Sequence, residues 1–313
     1  MVTLVISMPT DDENGVIESA TGDVGFLTMA FGGDRYLRQA ETLARSLKRH
    51  MPQHKLALVT DRPDPGPLFD IVVPMAPVTR AGTVHKTEMY AYSPFEQTLF
   101  IDSDCVVARP FAAELSAISQ HDFSPVVAQY LAHGDSDLWL EDVGQAIDKV
   151  GGTPFPKFNG GVYFFRKGSL AQEVFARATR MRDRAAELGI KDFDRSGPGE
   201  ETLIGMALSE MRVERLHYDH GRLMRTPLNS TGSISLDVLG GSCHFIKEGT
   251  LVAPAICHFC GEFADHPAYL TADYMLRYGH KPPLLWRIAV QSGPVRRKIR
   301  NRLRRLRRRL LHV

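Results

Sequence analysis

Two carboxylates one residue apart, Asp102 and Asp104, end the apolar run Thr98-Leu99-Phe100-Ile101, and apolar residues resume at Cys105-Val106-Val107. In a loop after a strand, both carboxylates can turn toward one hard divalent cation. Mg²⁺ and Mn²⁺ take oxygen ligands and leave positions open for phosphate oxygens. The plainer use of the same residues is a turn cap at Asp102 and a solvated Asp104, and a D-x-D tripeptide alone does not decide between them. A second set of possible ligands is Cys257-His258-Phe259-Cys260 with Cys243-His244 upstream. Three thiolates and an imidazole suit zinc. No second C-x-x-C accompanies them, and small thiols at a buried strand end are the simpler reading. Zinc there would compete for His258.

The elements that must position these residues follow from the hydrophobic pattern. Residues 24–31 read as a strand closed by Gly32-Gly33-Asp34, and residues 35–50 as a helix with Leu37, Ala40, Leu43, Ala44 and Leu47 on one face. Pro52 stops the helix, Leu56–Thr60 makes a second strand and Ile71–Val73 a third. This strand–helix–strand order with short connections is the unit of a parallel sheet. A helical segment over 84–92 leads into the strand Thr98–Ile101, so Asp102 and Asp104 stand at a strand's carboxyl end, where open parallel sheets gather ligands. Val162–Phe165 reads as a strand entered through a turn at Asn159-Gly160-Gly161. Residues 168–188 and 199–211 have helical spacing, 213–217 look strand-like, and the chain beyond 220 reads as irregular. The division expected is a polar lead-in over 1–22, one α/β domain over 23–290 and a basic tail over 291–313.

The chain has 313 residues, 43% of them hydrophobic, enough for a sizeable core and too many for a disordered chain. No apolar run approaches the length of a membrane span. Met1–Ser7 is too short, and lacks the positive flank, to be a signal peptide, which with four cysteines implies an intracellular protein. The formal net charge of +2 hides an asymmetry. Ten of the 38 Lys and Arg fall in residues 295–313, leaving 28 basic against 36 acidic residues elsewhere, a balance of −8. Within the tail, Val295, Ile299, Leu303, Leu306, Leu310 and Val313 fall in one arc of about 80° at helical spacing. An apolar stripe on a basic helix points to an anionic membrane surface rather than to nucleic acid, since the stripe has no use on phosphates.

The stretch from Lys86 to Phe111, with its helix, its strand Thr98–Asp104 and Pro110, resembles the D-x-D region of nucleotide-sugar glycosyltransferases of the GT-A fold. The similarity is to the glycogenin-like and lipooligosaccharide-galactosyltransferase group (glycosyltransferase family eight type). Residues 27–50, with Tyr36, Ala40, Ser46 and Leu47, are similar to that group's first strand and helix. Phe158–Gly168 is similar to its Asn-x-Gly-Val strand, and His258 and Gly261 to its His-x-x-Gly. The resemblance implies a GT-A fold, Rossmann-like, with a mostly parallel central sheet, followed here by the basic amphipathic helix. It implies that Asp102, Asp104 and His258 bind Mn²⁺ or Mg²⁺, with Ser103 between the carboxylates and Gly261 beside them. Backbone near Thr28 and Ala30 and the ring of Tyr36 would hold the base. Lys86 would face ribose, diphosphate or sugar; Asn159, Gly160 and Gly161 would meet the sugar. The implied donor is a UDP-sugar and the acceptor a glycan or lipid-linked sugar.

Two departures mark this chain. Glu262-Phe263-Ala264 follows the His-x-x-Gly where the family has a Lys for the leaving diphosphate, leaving Arg222, Arg225, Lys247 or Lys281 to substitute. Glu200-Glu201 stands where the family has Asp-Gln. A carboxylate at the second position can act as a base on the acceptor and favour inversion, whereas the family retains configuration. The acidic first turn of a helix accounts for the same pair. The competing readings are a nucleotidyltransferase, for which Gly32-Gly33-Asp34 is a poor Gly-rich loop, and a nucleic-acid-binding protein acting through the tail, which leaves the acidic body unexplained.

Overall fold

The computed structural model describes residues 24–75, 82–194 and 197–292. The lead-in 1–22 and the tail stripe 295–313 lie outside the described residues. The chain runs β1 (Val24–Ala30), α1 (Asp34–His50), β2 (Leu56–Thr60), β3 (Ile71–Pro74), a 3₁₀ turn (Thr83–Glu88), α2 (Met89–Tyr92), β4 (Gln97–Ile101) and β5 (Cys105–Val107). It continues with α3 (Ala112–Ile118), β6 (Phe123–Leu131), α4 (Val143–Val150), β7 (Phe155–Arg166), α5 (Ser169–Asp183), α6 (Ala185–Leu188), β8 (Asp192–Asp194), β9 (Gly197–Pro198) and α7 (Glu200–Glu210). The last elements are β10 (Met224–Arg225), β11 (Ser230–Asp237), β12 (Ser242–Lys247), β13 (Thr250–Val252), β14 (Ile256–His258) and α8 (Pro267–Tyr278).

Six strands form the central sheet in the order β3-β2-β1-β4-β7-β6. The first four are parallel; β7 runs antiparallel to β4 and to β6. Every residue of β1 is buried, as expected of a strand covered on both faces. Phe26 and Ala30 pack under α1 with Leu43 and Leu47, while Leu27 and Met29 face the second layer with Phe175, Leu203 and Ala207. Both layers are thus anchored on alternating residues of one strand. A smaller sheet, β10-β14-β5, lies at the carboxyl ends of the central strands, and a meander, β11-β12-β13, covers it. Cys243 and Cys257 are buried there with Val106, Phe245 and Phe259. No helix among the described residues is long and apolar enough to cross a membrane.

The structure corrects the sequence reading in four places. Asn159-Gly160-Gly161 is not a turn into a strand but the interior of the long strand β7, because pairing with β6 begins at Phe155 opposite Leu131. Residues 213–217 form no strand; only isolated bonds, such as Val127 N–H to the His217 carbonyl at 2.9 Å, tie them to β6. The helix expected over 168–188 breaks at Arg184 into α5 and α6. Residues 221–292 are not irregular but carry β10–β14 and α8. In β12, Cys243 and Phe245 point inward and Ser242, His244 and Ile246 outward, and α8 buries Tyr269, Ala272 and Met275.

Candidate metal and donor site

Three strand pairings build the site. Asp102 follows β4 directly and donates its backbone N–H to the Gly161 carbonyl on β7 at 2.9 Å. The Asp102–Asp104 turn feeds β5, and β5 pairs antiparallel with β14, setting Cys105 opposite His258. The Phe259 N–H then reaches the Asp104 carbonyl at 3.0 Å. His258 Nε2 consequently lies 2.8 Å from Asp104 Oδ1 and 3.6 Å from Asp102 Oδ2. The Ser103 N–H donates to Asp102 Oδ1 at 2.8 Å, fixing that carboxylate, and Ser103 itself is buried.

Asn159 sets the imidazole's orientation. Its Oδ1 accepts a short hydrogen bond from His258 Nδ1, and its Nδ2 donates to Glu201 Oε1 at 3.3 Å. An amide oxygen only accepts, so Nδ1 carries the proton and Nε2 is the ring's other nitrogen, aimed at Asp104. Among the described residues, His258 Nε2 and Asp104 Oδ1 are both buried and face each other with no third hydrogen-bond partner. Two lone pairs 2.8 Å apart repel unless a proton or a cation sits between them. Without a cation the proton does so. Burial would push the imidazole down, but the Asp104 and Asp102 carboxylates hold it well above its ordinary value. Asp104 and the oriented imidazole nitrogen therefore fit a divalent ion, with Asp102 Oδ2, 3.6 Å from Nε2, as the second carboxylate nearby.

Among the described residues, the group of possible ligands lying within 4.8 Å of one another is Asp104, Cys105 and His258, without Asp102. The Cys105 thiol donates to the Gly161 carbonyl at 3.7 Å, and burial together with Asp104 and Asp102 pushes it well up, so it stays a neutral thiol. Cys243, Cys257 and Cys260 are not part of this cluster, and Cys260 Sγ lies 3.2 Å from the Thr226 hydroxyl.

Lys86, from the 3₁₀ turn, is buried and bridges two carboxylates, 2.5 Å from Asp102 Oδ2 and 3.1 Å from Glu200 Oε1. Burial disfavours its charge, but Asp102 and Glu200 outweigh that and hold the ammonium. For Asp102, burial would raise the carboxyl, yet Lys86 and His258 keep it well below the usual range. Glu200 goes the other way. Burial lifts its carboxyl to about 7 despite Lys86, with Glu201 and Asp102 adding repulsion. Glu200 and Glu201 form the first turn of α7, where the helix dipole favours acids. Glu201 Oε1 accepts the Gly160 N–H at 2.7 Å.

The glycines of β7 admit side chains of the protein itself. A Cβ on Gly161 would stand 2.6 Å from His258 Nδ1, and one on Gly160 would collide with Glu200 and lie 2.9 Å from the Tyr163 hydroxyl. Lys86, Asp102, Asp104, Asn159, Gly160, Gly161, Glu200, Glu201 and His258 thus converge. Thr28 and Ala30 lie on β1 with buried side chains. Tyr36, on the first turn of α1, keeps 43% of its surface exposed, enough to offer a ring face. Arg35 joins this rim to the centre by donating to the Gly261 carbonyl at 3.0 Å.

Sequence reading missed several members. The Tyr163 hydroxyl is buried without a partner among the described residues, and burial beside Glu200 pushes it well up. Asp61 accepts the Gly32 N–H at 3.0 Å, and Arg62 pairs with Asp34 at 2.9 Å. Asp61-Arg62 follows β2 directly, so the strand-end rule that located Asp102 also reaches them. Of the four basic residues considered for a leaving group, Lys247 is held by the Thr226 and Leu228 carbonyls. Arg225 stands opposite Cys257 in β10, and its Nε is buried without a partner among the described residues.

No protein-family model and no curated protein sequence matches the chain. Solved structures do. The galactosyltransferase LgtC, in complex with donor and acceptor sugar analogues, superposes with a TM-score of 0.50 at 15% identity, over 84% of this chain and 99% of that one. An active-site mutant of LgtC gives 0.49 over the same extents. The glycosyltransferase GlyE of Streptococcus pneumoniae TIGR4 gives 0.40 at 16% identity, over 64% of this chain and 46% of that one. The chain has the GT-A fold, as the sequence resemblance implied.

Proposed function

We propose that this chain is a metal-dependent glycosyltransferase that moves a sugar from a nucleotide-diphosphate donor, a UDP-sugar, to a glycan or lipid-linked acceptor. The observation that carries the reading is the meeting of buried His258 Nε2 with Asp104 Oδ1 at 2.8 Å and Asp102 Oδ2 at 3.6 Å, the first two having no other hydrogen-bond partner among the described residues. These three residues would hold Mn²⁺ or Mg²⁺, and the imidazole favours Mn²⁺. When bound, the ion offsets charge on the departing diphosphate.

The remaining roles fall to the chain's own groups. Tyr36 stacks on the base and the backbone at Thr28 and Ala30 bonds its edge; base–aromatic stacking is worth about 1–3 kcal/mol. Lys86 holds Asp102 and Glu200 at a fixed spacing, and Arg225 supplies the cation that the segment after Gly261 lacks. Asn159 orients His258 and Glu201 together. Glu201, with one oxygen bound to the Gly160 N–H, positions rather than deprotonates, which supports retention of configuration. The catalytic domain is residues 23–290. Residues 291–313 bring it to an anionic membrane on the cytoplasmic side, where a lipid-linked acceptor would be found. A nucleotidyltransferase or a nucleic-acid-binding protein accounts for fewer of these groups.

The test is to incubate the pure protein with a panel of nucleotide sugars and Mn²⁺ and to measure nucleoside diphosphate release. Release that requires the metal, and that Asp104→Asn abolishes, supports the reading. No release from any donor removes it.

A further inference from the structure

An aromatic pair stands beside the site and takes no part in donor chemistry. Trp139 and Phe193 place their ring centroids 5.0 Å apart with planes at 59°. Phe193 is 46% exposed and Trp139 is half-buried, so the pair reaches the surface. The segment bearing it is fixed by backbone: Leu140 bridges Ile190, Lys191 N–H donates to the Trp139 carbonyl at 2.9 Å, and Glu141 N–H to the Gly189 carbonyl at 2.8 Å.

Two connections tie this surface to the candidate centre. Phe193 packs on Gly199, where an added Cβ would lie 3.3 Å from Phe193 Cβ, and Gly199 caps α7 directly before Glu200 and Glu201. On the other flank, Trp139 N–H donates to Asp137 Oδ1 at 2.8 Å, and Asp137 Oδ2 pairs with Lys157 Nζ at 2.7 Å. Lys157 precedes Asn159 by two residues in β7 and so shares its face. The pair is therefore tied through Gly199 to the helix start that carries Glu200 and Glu201, and through Asp137 and Lys157 to the strand that carries Asn159.

We propose that Trp139 and Phe193 are the platform for a sugar ring of the acceptor, with the Lys157 ammonium, held in place by the buried Asp137 carboxylate, donating to its hydroxyls. The inference rests on the glycosyl-transfer reading. A pyranose has a flat face of C–H groups and a rim of hydroxyls. Aromatic faces carry negative charge that attracts the C–H face, and the Lys157 ammonium keeps N–H donors for the rim.

The experiment uses the full-length protein on an array of immobilised oligosaccharides ending in glucose, galactose, mannose or N-acetylhexosamine, followed by solution titration of the tightest binder. Trp139→Ala and Phe193→Ala should each weaken that saccharide roughly three- to tenfold, the scale of one aromatic contact, and raise its KM more than they lower kcat. Trp139→Phe, which keeps a ring, should recover most of the affinity. Circular dichroism and thermal unfolding of the same samples exclude a folding defect. Wild-type affinity in both alanine variants overturns the proposal, as does a wild-type protein that binds no saccharide. A change of oligomeric mass in the variants with saccharide binding intact assigns the rings to a second copy instead. Metal-dependent nucleoside diphosphate release by the wild type, measured without acceptor, separates the two readings. Its absence strikes the glycosyl-transfer reading, whereas its presence alongside unaltered variants strikes only the platform.

Discussion

Manganese binding should expel about one proton, and that proton should come from His258. In the metal-free protein His258 Nε2 faces Asp104 Oδ1 at 2.8 Å, and the two carboxylates hold the imidazole protonated well above its ordinary pKa of 6.5. A cation ligated at Nε2 must displace that proton. Apparent metal affinity should therefore rise about tenfold per pH unit while the imidazolium is the resting form, and level off above the folded pKa. Stability should move oppositely. The folded pKa is raised, so the contact's contribution is fully present below the unfolded value of 6.5 and is lost as pH rises through the folded value. Raising pH thus loosens the metal-free protein while tightening the ion. Calorimetric titration with Mn²⁺ in buffers of different ionisation enthalpy, from about pH 6 to about pH 8, counts the protons released. Thermal unfolding with and without Mn²⁺ over the same range reads the second slope. Asn159→Ala removes the acceptor of the Nδ1 hydrogen bond, and loss of such an outer-sphere partner weakens metal binding by about 10–100-fold, or about 1.4–2.7 kcal/mol. Manganese affinity that is flat with pH, or an Asn159→Ala protein that binds as tightly as wild type, would refute the reasoning.

Asp104→Asn should lose metal-dependent donor turnover while keeping a cooperative unfolding transition; if Asp102→Asn and Asp104→Asn both keep wild-type turnover, the ligand assignment is wrong. Gly161→Ala places a methyl 2.6 Å from His258 Nδ1 and should displace the imidazole, lowering manganese affinity at least tenfold in the same calorimetric titration. Glu201→Gln keeps an oxygen for the Gly160 N–H, so turnover should fall less than about tenfold with retained anomeric configuration by product NMR; an inverted product, and a loss on the order of 10²–10⁴, would mark Glu201 as a general base instead. Truncation after Ser292 should abolish sedimentation with anionic vesicles but leave donor hydrolysis intact, since each basic residue near such a surface contributes about 1 kcal/mol; equal sedimentation of both proteins would remove the membrane reading.

How far the fold can be read from the chain depends on whether its signals are local. The strands β1, β2 and β4 announce themselves as apolar runs that stop at polar residues, and α1 by its apolar stripe. The strand β6 does not, because Pro125 argues against a strand within a sheet. The structure resolves this by placing β6 at the sheet's edge, where proline is tolerated. Asn159-Gly160 carries the local signature of a turn, yet it lies within β7 because Glu200, Glu201 and His258 fill the space that the glycines leave.

The same division runs through the site. Residue type and strand-end position mark Asp102 and Asp104 without help. His258 enters only when β14 pairs with β5, Asn159 only when β7 pairs with β4, and Glu200 only when α7 packs on β7. Lys86 meets Asp102 and Glu200 at once only after all of these form. Each buried charge is thereby matched by one from a different element, and none of them would be tolerable in its own segment alone. Assembly of the charges and completion of the fold are therefore one event. A variant that removes Lys86 should for that reason unfold before it merely inactivates, because it leaves the Asp102 and Glu200 carboxylates buried with no cation between them.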